Sequence, residues 1–278
     1  MQLIIITDMD GCFLDFNTYS YEDSVEALNR AVKEAAVISF CTGKCLAEIK
    51  VYNKELKLKF PFIAENGSII CVPHDFFDFD FEYQRETEKY KIIELNVKHD
   101  ETIKALHNIR KKLDFEFRIF SEMSPEEINE YCGLPIESVK HAKMKEYDDA
   151  VRIVDETPEK VNLFKQAVAE EGFSYTKGGK FHILIKGSDK GKAAGILLEL
   201  YKKKYGSIVS IGLGDSLNDL PMLEEVDSAF LVARPDGSRV DIGNSKAKRV
   251  NEIGPKGWSE VVNEALEKVK KESHFVKE

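Results

Sequence analysis

The chain of 278 residues has no stretch approaching the roughly 18 apolar residues that a membrane span requires. It has no basic leader followed by a small-residue cleavage site, so a secretory route is not expected. Its five cysteines (Cys12, Cys41, Cys45, Cys71, Cys132) are odd in number and lack the spacing of a disulfide scaffold. They point to a reducing, cytoplasmic setting. Positive charge is short: 40 Lys and Arg against 49 Asp and Glu leave a formal net charge of −9. That argues against a nucleic-acid or anionic-membrane surface and leaves open a small anionic substrate gripped by locally converging cations. No internal repeat and no low-complexity segment is visible. What remains, at 43% hydrophobic and 32% charged, is an ordinary globular chain long enough for one large domain or two modest ones.

Strand-like and helix-like patterns alternate at both ends. The run Leu3-Ile4-Ile5-Ile6-Thr7 reads as a buried parallel strand. Further strands are expected over 37–41, 62–64 and 69–72, with helices over 24–34 and 45–56. Alternation of Phe and Asp from Phe77 to Phe81 reads as one more strand with a buried face. From about Tyr83 to Lys186 the texture changes. Strands are expected at 90–97, 115–120, 150–154 and 181–185, and a helix at 101–113. Ser124-Pro125-Glu126-Glu127 and Thr157-Pro158-Glu159 are capped helix starts with proline in the first turn. After Gly187 the first texture returns, with helices over 190–205, 219–225 and 258–271 and strands over 208–213 and 229–232. The lysine-rich tail 268–277 reads as a solvated helix end. The layout is α/β: a doubly wound, Rossmann-like parallel-sheet core (1–82 and 187–278) interrupted by an inserted α+β domain (83–186). Both halves of such a core face one cleft, with the insert as its lid.

Four pieces carry chemistry. Asp8-Met9-Asp10-Gly11 follows the first strand, where open α/β sheets place their ligands. One carboxylate can attack phosphorus while the other handles the proton, and a Mg²⁺ ion lets the anions meet. Thr42-Gly43-Lys44 offers a hydroxyl, an open backbone and a helix start for anionic oxygens. Gly187-Ser188-Asp189-Lys190-Gly191-Lys192 sets a lysine against the helix dipole, a local cost that suggests a task. Lys192 competes for that role, and a solvated basic turn explains the segment equally. Gly214-Asp215-Ser216-Leu217-Asn218-Asp219 brackets a tight strand-to-helix turn with two carboxylates, suited to a hard cation. Cys41 and Cys45, with Cys12, lie within zinc spacing. No histidine or second cysteine pair completes four ligands, so buried thiols are the better reading.

Together these pieces resemble the haloacid dehalogenase superfamily. The resemblance implies that Asp8 is the nucleophile and Asp10 the acid/base, that Thr42 and Lys190 complete the catalytic set, and that Mg²⁺ is held by Asp8, Asp10 (through its backbone carbonyl), Asp215 and Asp219. The insert's position is similar to a C2-type cap. Glu65-Asn66-Gly67, Met123-Ser124-Pro125-Glu126-Glu127-Ile128, Lys145-Glu146-Tyr147-Asp148-Asp149 and Gly178-Gly179-Lys180-Phe181-His182 resemble the mannosyl-3-phosphoglycerate phosphatase branch. That implies a phosphorylated sugar-glycerate substrate, with the glucosyl analogue, other sugar phosphates, a mutase or a non-catalytic sensor as alternatives. Candidate substrate contacts are Gly43, Lys44, Asn66, Lys145, Gly178, Gly179, Lys180, His182 and Asn218, with Lys177 a further partner for the glycerate carboxylate. The chain departs from the branch at Cys12, where Thr is usual, and at Lys44, Lys145 and Lys180, where Arg is common. Lysine keeps the charge but loses the bidentate fork.

Overall fold

The computed structural model describes residues 1–238 and 240–275. In chain order the elements are β1 (Gln2–Thr7), α1 (Glu22–Lys33), β2 (Val37–Phe40), α2 (Leu46–Glu55), β3 (Phe62–Ala64), β4 (Ile69–Pro73), β5 (Arg85–Glu86) and β6 (Tyr90–Glu94). Then come α3 (His99–Lys112), β7 (Phe117–Ile119), α4 (Pro125–Cys132), α5 (Ile136–Ala142), β8 (Ala150–Ile153), α6 (Pro158–Glu170), β9 (Ser174–Gly178) and β10 (Phe181–Ile185). The chain closes with α7 (Lys190–Tyr205), β11 (Ile208–Gly214), α8 (Leu220–Glu225), β12 (Ser228–Ala233), β13 (Lys248–Ile253) and α9 (Gly254–Phe275). Residues 276 and 277 of the expected tail lie outside the described residues.

Five parallel strands form the central sheet in the order β13-β12-β11-β1-β2. β1 shows why the apolar run is continuous. Ile5 packs into one core cluster and Ile4 and Ile6 into the other, on opposite faces of the sheet. Each such burial contributes roughly 1.5–3 kcal/mol. α1 and α9 close the first face, and α7 and α8 the second. The chain leaves β1 toward β2 on one side and returns through β11 on the other. The crevice at this reversal, at the C-terminal strand ends, is where such sheets bind ligands.

The inserted sheet is antiparallel, in the order β7-β8-β10-β9, with α3 and α6 packed on it. A third sheet, β3-β4-β6-β5, joins the two parts. β6 pairs with β4 over five residue pairs, from Ile69 with Glu94 to Pro73 with Tyr90. Segment 83–95 therefore extends the sheet begun by β3 rather than the inserted one. We place the first crossing into the insert near Asn96 rather than at the expected 83. Asn96 Oδ1 receives both Val97 N and Lys186 N, so the outgoing and returning strands of chain are tied at one point.

The aromatic run corrects an expectation, because residues 77–81 form no strand. Phe76, Phe77, Phe79 and Phe81 all pack against the same core cluster, with Phe76 and Phe77 each within 6 Å of the Tyr201 ring. Neighbours 76 and 77 would point to opposite faces in a strand. A looped chain instead turns both rings onto α7. β9 and β13 were not expected from the sequence. Both are edge strands, and β13 (Lys-Arg-Val-Asn-Glu-Ile) is exposed or half-buried throughout, so neither needs an apolar alternation. The short α5 was likewise unexpected.

Candidate active site

β1 delivers Asp8 to the crevice, where its backbone N–H bonds Leu213 O at 2.9 Å. Asp8 is 6% exposed. Lys190, the first residue of α7, reaches across with Nζ 2.6 Å from Asp8 Oδ1 and 2.6 Å from Asp219 Oδ1. Burial works against the ammonium, but Asp219 and Asp8 outweigh it and hold its pKa above the ordinary value. Burial likewise raises the Asp8 carboxyl well above the carboxylate range. Lys190 opposes this, and the neighbouring aspartates add to it. Lys192, the competing choice, bonds Gly187 O at the exposed surface.

Asp10 stands at the mouth, its side chain 42% exposed, with Lys44 Nζ 2.9 Å from Oδ1. Lys44 is itself buried, under the Tyr19 and Tyr52 rings and 3.5 Å from Glu48. Burial opposes its charge, yet Asp10 and Glu48 prevail and raise its pKa. Thr42 is buried beside them, its Oγ1 accepting the Lys44 N–H at 3.2 Å.

The turn after β11 is shaped by Asp219, whose Oδ2 accepts the N–H groups of Asp215 (3.0 Å) and Ser216 (2.9 Å). Gly214 makes this possible, because a Cβ there would lie 2.5 Å from that of Asp219. Asp215 is held at both oxygens, Oδ1 by Ser216 Oγ at 2.7 Å and Oδ2 by Arg234 Nε at 2.8 Å. Burial and then Asp219 raise its pKa to about 6, against the pull of Arg234. Carboxylate oxygens of Asp8, Asp215 and Asp219 lie within 4.8 Å of one another, all buried. An all-oxygen, acidic set of this kind suits a hard divalent cation. Asp219 thus bonds Lys190 through Oδ1 and the turn's N–H groups through Oδ2 while remaining part of the acidic cluster.

A cavity of about 910 Å³, including its open mouth, lies between the central sheet and the insert. Asp8, Asp10, Thr42, Gly43, Lys44 and Asn66 line its floor. Lys145, Gly178, Gly179 and Lys180 come to it from the insert, Asn218 from the turn after β11, and Phe120 and Phe181 form an apolar wall. Despite the acidic chain, Lys44, Lys145 and Lys180 all converge here.

The geometry redistributes several expected roles. Lys145 Nζ is committed to Gly43 O (2.8 Å) and Asp148 Oδ1 (2.6 Å), so it straps the insert to the core. Asn66 continues that strap, donating to Asp148 Oδ2 at 2.6 Å and accepting from Asn218 Nδ2 at 2.9 Å. Its turn is tight. Asn66 has φ +55°, and a Cβ on Gly67 would lie 2.0 Å from Asp189 O. Lys180 Nζ bonds Cys132 O at 2.7 Å and lies 5.0 Å from the Phe16 ring. His182 departs from the expected substrate contact. It is fully buried on the other face of β10, with Nδ1 2.7 Å from Tyr175 Oη and Nε2 2.8 Å from Glu156. Lys177 pairs with the same Glu156 and stands away from the cavity. All five cysteines are free and buried, as expected of packed thiols. The sequence reading missed Arg234, Phe16 and the tying role of Asp148. Arg234 follows directly on β12, and that strand-end position was its available signal.

These features define a class, α/β proteins with an acidic cluster and a buried lysine at the ends of a parallel sheet beneath an inserted cap. A profile of haloacid dehalogenase-like hydrolases matches residues 5–237, and the chain belongs to that family. Within it, the chain is a phosphoric monoester hydrolase with a cap sheet inserted into a parallel core. It is 38% identical over 269 residues to a glucosyl-3-phosphoglycerate/mannosyl-3-phosphoglycerate phosphatase of Methanococcoides burtonii, covering 96% of this chain and 98% of that one. It is 36% identical to a mannosyl-3-phosphoglycerate phosphatase of Pyrococcus horikoshii, over 78% of this chain and 82% of that one. Among solved structures, a Thermoplasma acidophilum protein superposes with a TM-score of 0.67 at 20% identity, covering 95% and 98% of the two chains. That likeness speaks for the fold. No helix among the described residues is long and apolar enough to cross a membrane.

Proposed function

We propose that this protein is a Mg²⁺-dependent phosphatase that works through an aspartyl-phosphate and acts on a hexosyl-3-phosphoglycerate, mannosyl first and glucosyl second. The observation that carries the reading is Lys190, bridging Asp8 and Asp219 at 2.6 Å each beneath a cavity that also holds Asp10. Asp8 attacks phosphorus while the bond from phosphorus to the substrate oxygen breaks, and Asp10 gives that oxygen its proton. Asp10 then takes a proton from water as the water attacks the phosphorus, releasing inorganic phosphate and restoring Asp8. Asp8 and Asp215 would hold the Mg²⁺, which supplies positive charge against the phosphoryl oxygens. Lys190, Thr42 and the backbone at Gly43 sit where the transferring group's charge spreads.

The cap selects the leaving group. Lys180 and Lys44 offer cations to the glycerate carboxylate, and the Phe120–Phe181 wall offers an apolar face to the sugar ring. Lys145 uses two of its three N–H donors on the strap, which leaves one for the cavity it lines. The names of the relatives from M. burtonii and P. horikoshii favour the same substrate class.

The test is phosphate release with Mg²⁺ from mannosyl-3-phosphoglycerate, glucosyl-3-phosphoglycerate, 3-phosphoglycerate and simple hexose phosphates. Preference for a glycosyl-phosphoglycerate is expected, with a loss of at least about a thousandfold in folded Asp8→Asn protein. An isomerised sugar phosphate would indicate a mutase, broad preference would discard the narrow substrate, and no turnover at all would point to a sensor.

A further inference from the structure

Every hydrogen-bonding capacity of the Ser216 hydroxyl is committed. It donates to Asp215 Oδ1 at 2.7 Å, accepts the backbone N–H of Gly179 at 3.2 Å, and accepts Arg234 Nη2 at 2.5 Å. A serine hydroxyl has one hydrogen and two lone pairs, so none is left over. Gly179 is the tip of the β9–β10 hairpin of the cap, and Asp215 is one of the acids proposed to hold the cation. A second route runs beside the first. Arg234, bonded through Nε to Asp215 Oδ2, lies 5.9 Å from the Phe16 ring, and Lys180 from the same hairpin tip lies 5.0 Å from that ring. One oxygen of Asp215 is thus oriented by a hydroxyl that also receives the cap tip, and the other by a guanidinium that shares the Phe16 ring with Lys180 of that tip.

We propose that Ser216 and Arg234 are positioning residues that couple docking of the cap hairpin tip to the divalent-cation site, so that cation binding and cap closure strengthen each other. The inference rests on the cation reading given above. Its physical basis is directional. A cation that immobilises the Asp215 carboxylate fixes where the Ser216 O–H points. That in turn fixes the lone pairs that receive Gly179 and Arg234. Coupling of binding free energies is reciprocal, so a docked tip must raise cation affinity by the same factor by which the cation favours docking. The arrangement makes chemical sense for a capped hydrolase, because the metal site would be fully assembled only when the lid has closed.

Amide hydrogen exchange of peptides spanning 174–185, with and without Mg²⁺, tests this in the full chain, alongside calorimetric titration of Mg²⁺. Neither readout requires substrate or turnover. In the unaltered protein Mg²⁺ should slow exchange at the 178–180 tip several-fold. In Ser216→Ala that effect should vanish and Mg²⁺ affinity should fall about tenfold, the scale of one lost hydrogen bond to a charged group. Ser216→Thr keeps the hydroxyl and should restore both. Mg²⁺ that binds with normal heat but leaves tip exchange unchanged overturns the coupling while sparing the proposed function. Persistence of the effect in Ser216→Ala overturns it equally. Absence of any Mg²⁺ binding removes the cation site, and the coupling falls with it.

Discussion

Glu65 makes the cap strap sensitive to pH in a way that can be measured. Its side chain is fully buried in the turn after β3. There it accepts the backbone N–H groups of Glu146, Tyr147 and Asp148 at 2.9–3.2 Å from the cap. Burial raises its pKa to about 7, with Lys145 pulling the other way and Asp148 reinforcing the rise. A carboxyl raised in the folded state contributes its full share where both folded and unfolded forms are protonated, below about 4.5. That share is lost as pH rises toward 7. The gap between about 7 and the ordinary 4.5 corresponds to about 3 kcal/mol at 1.36 kcal/mol per unit. Glu65→Gln keeps a carbonyl oxygen for the N–H groups but does not titrate. Urea unfolding of both proteins from pH 5 to 8 should therefore show the stability of the natural protein, relative to the variant, falling by roughly 2–3 kcal/mol over that range, the remainder being lost below pH 5. Asp8 and Asp215 titrate in both proteins and cancel in the difference. Three N–H donors also favour an ionised carboxylate. If they outweighed burial, the difference would stay flat, and a flat difference would refute the argument. Glu65→Ala leaves three donors without their acceptor and should lose several kcal/mol at every pH, at about 1–3 kcal/mol each.

Two further outcomes are expected. Lys190→Met leaves two buried carboxylates without their shared cation, so denaturation at pH 7 should show a loss of about 3–5 kcal/mol. Turnover should fall at least a hundredfold, and activity within tenfold of normal would contradict its assignment. His182→Gln disrupts the pairing with Tyr175 and Glu156 and should cost about 1–3 kcal/mol of stability. KM should stay within about twofold, because the ring does not line the cavity, and a KM raised more than about fivefold would return His182 to the substrate site.

Most of the core was legible from local pattern alone. The run at β1 could be read as a strand buried on both faces because Leu3 to Ile6 are apolar without interruption, and α7 was placed from Lys190 to Tyr205 by its flanking turns. The four motif segments were legible because a parallel sheet delivers strand ends to one crevice, so local patterns suffice to suggest a shared site. Other roles depend on partners remote in sequence and emerge only from packing. Nothing local separates Lys145, which ties Asp148 to Gly43 across the two parts, from Lys180, which bonds Cys132 O within the insert, although both line the cavity. Nothing local turns His182 away, since a strand offers two faces and only the packing of Phe164 and Tyr175 selects one. Residues 77–81 alternate like a strand, yet Phe76 and Phe77 pack together on Tyr201 from more than 100 residues away in sequence, and that burial outweighs a ladder of backbone bonds. Arg234 meets Asp215 because β11 and β12 are neighbours in the sheet, and Ser216 meets Gly179 because the cap folds back over the core. Those pairings follow from strand order and domain docking, quantities that no window of sequence contains.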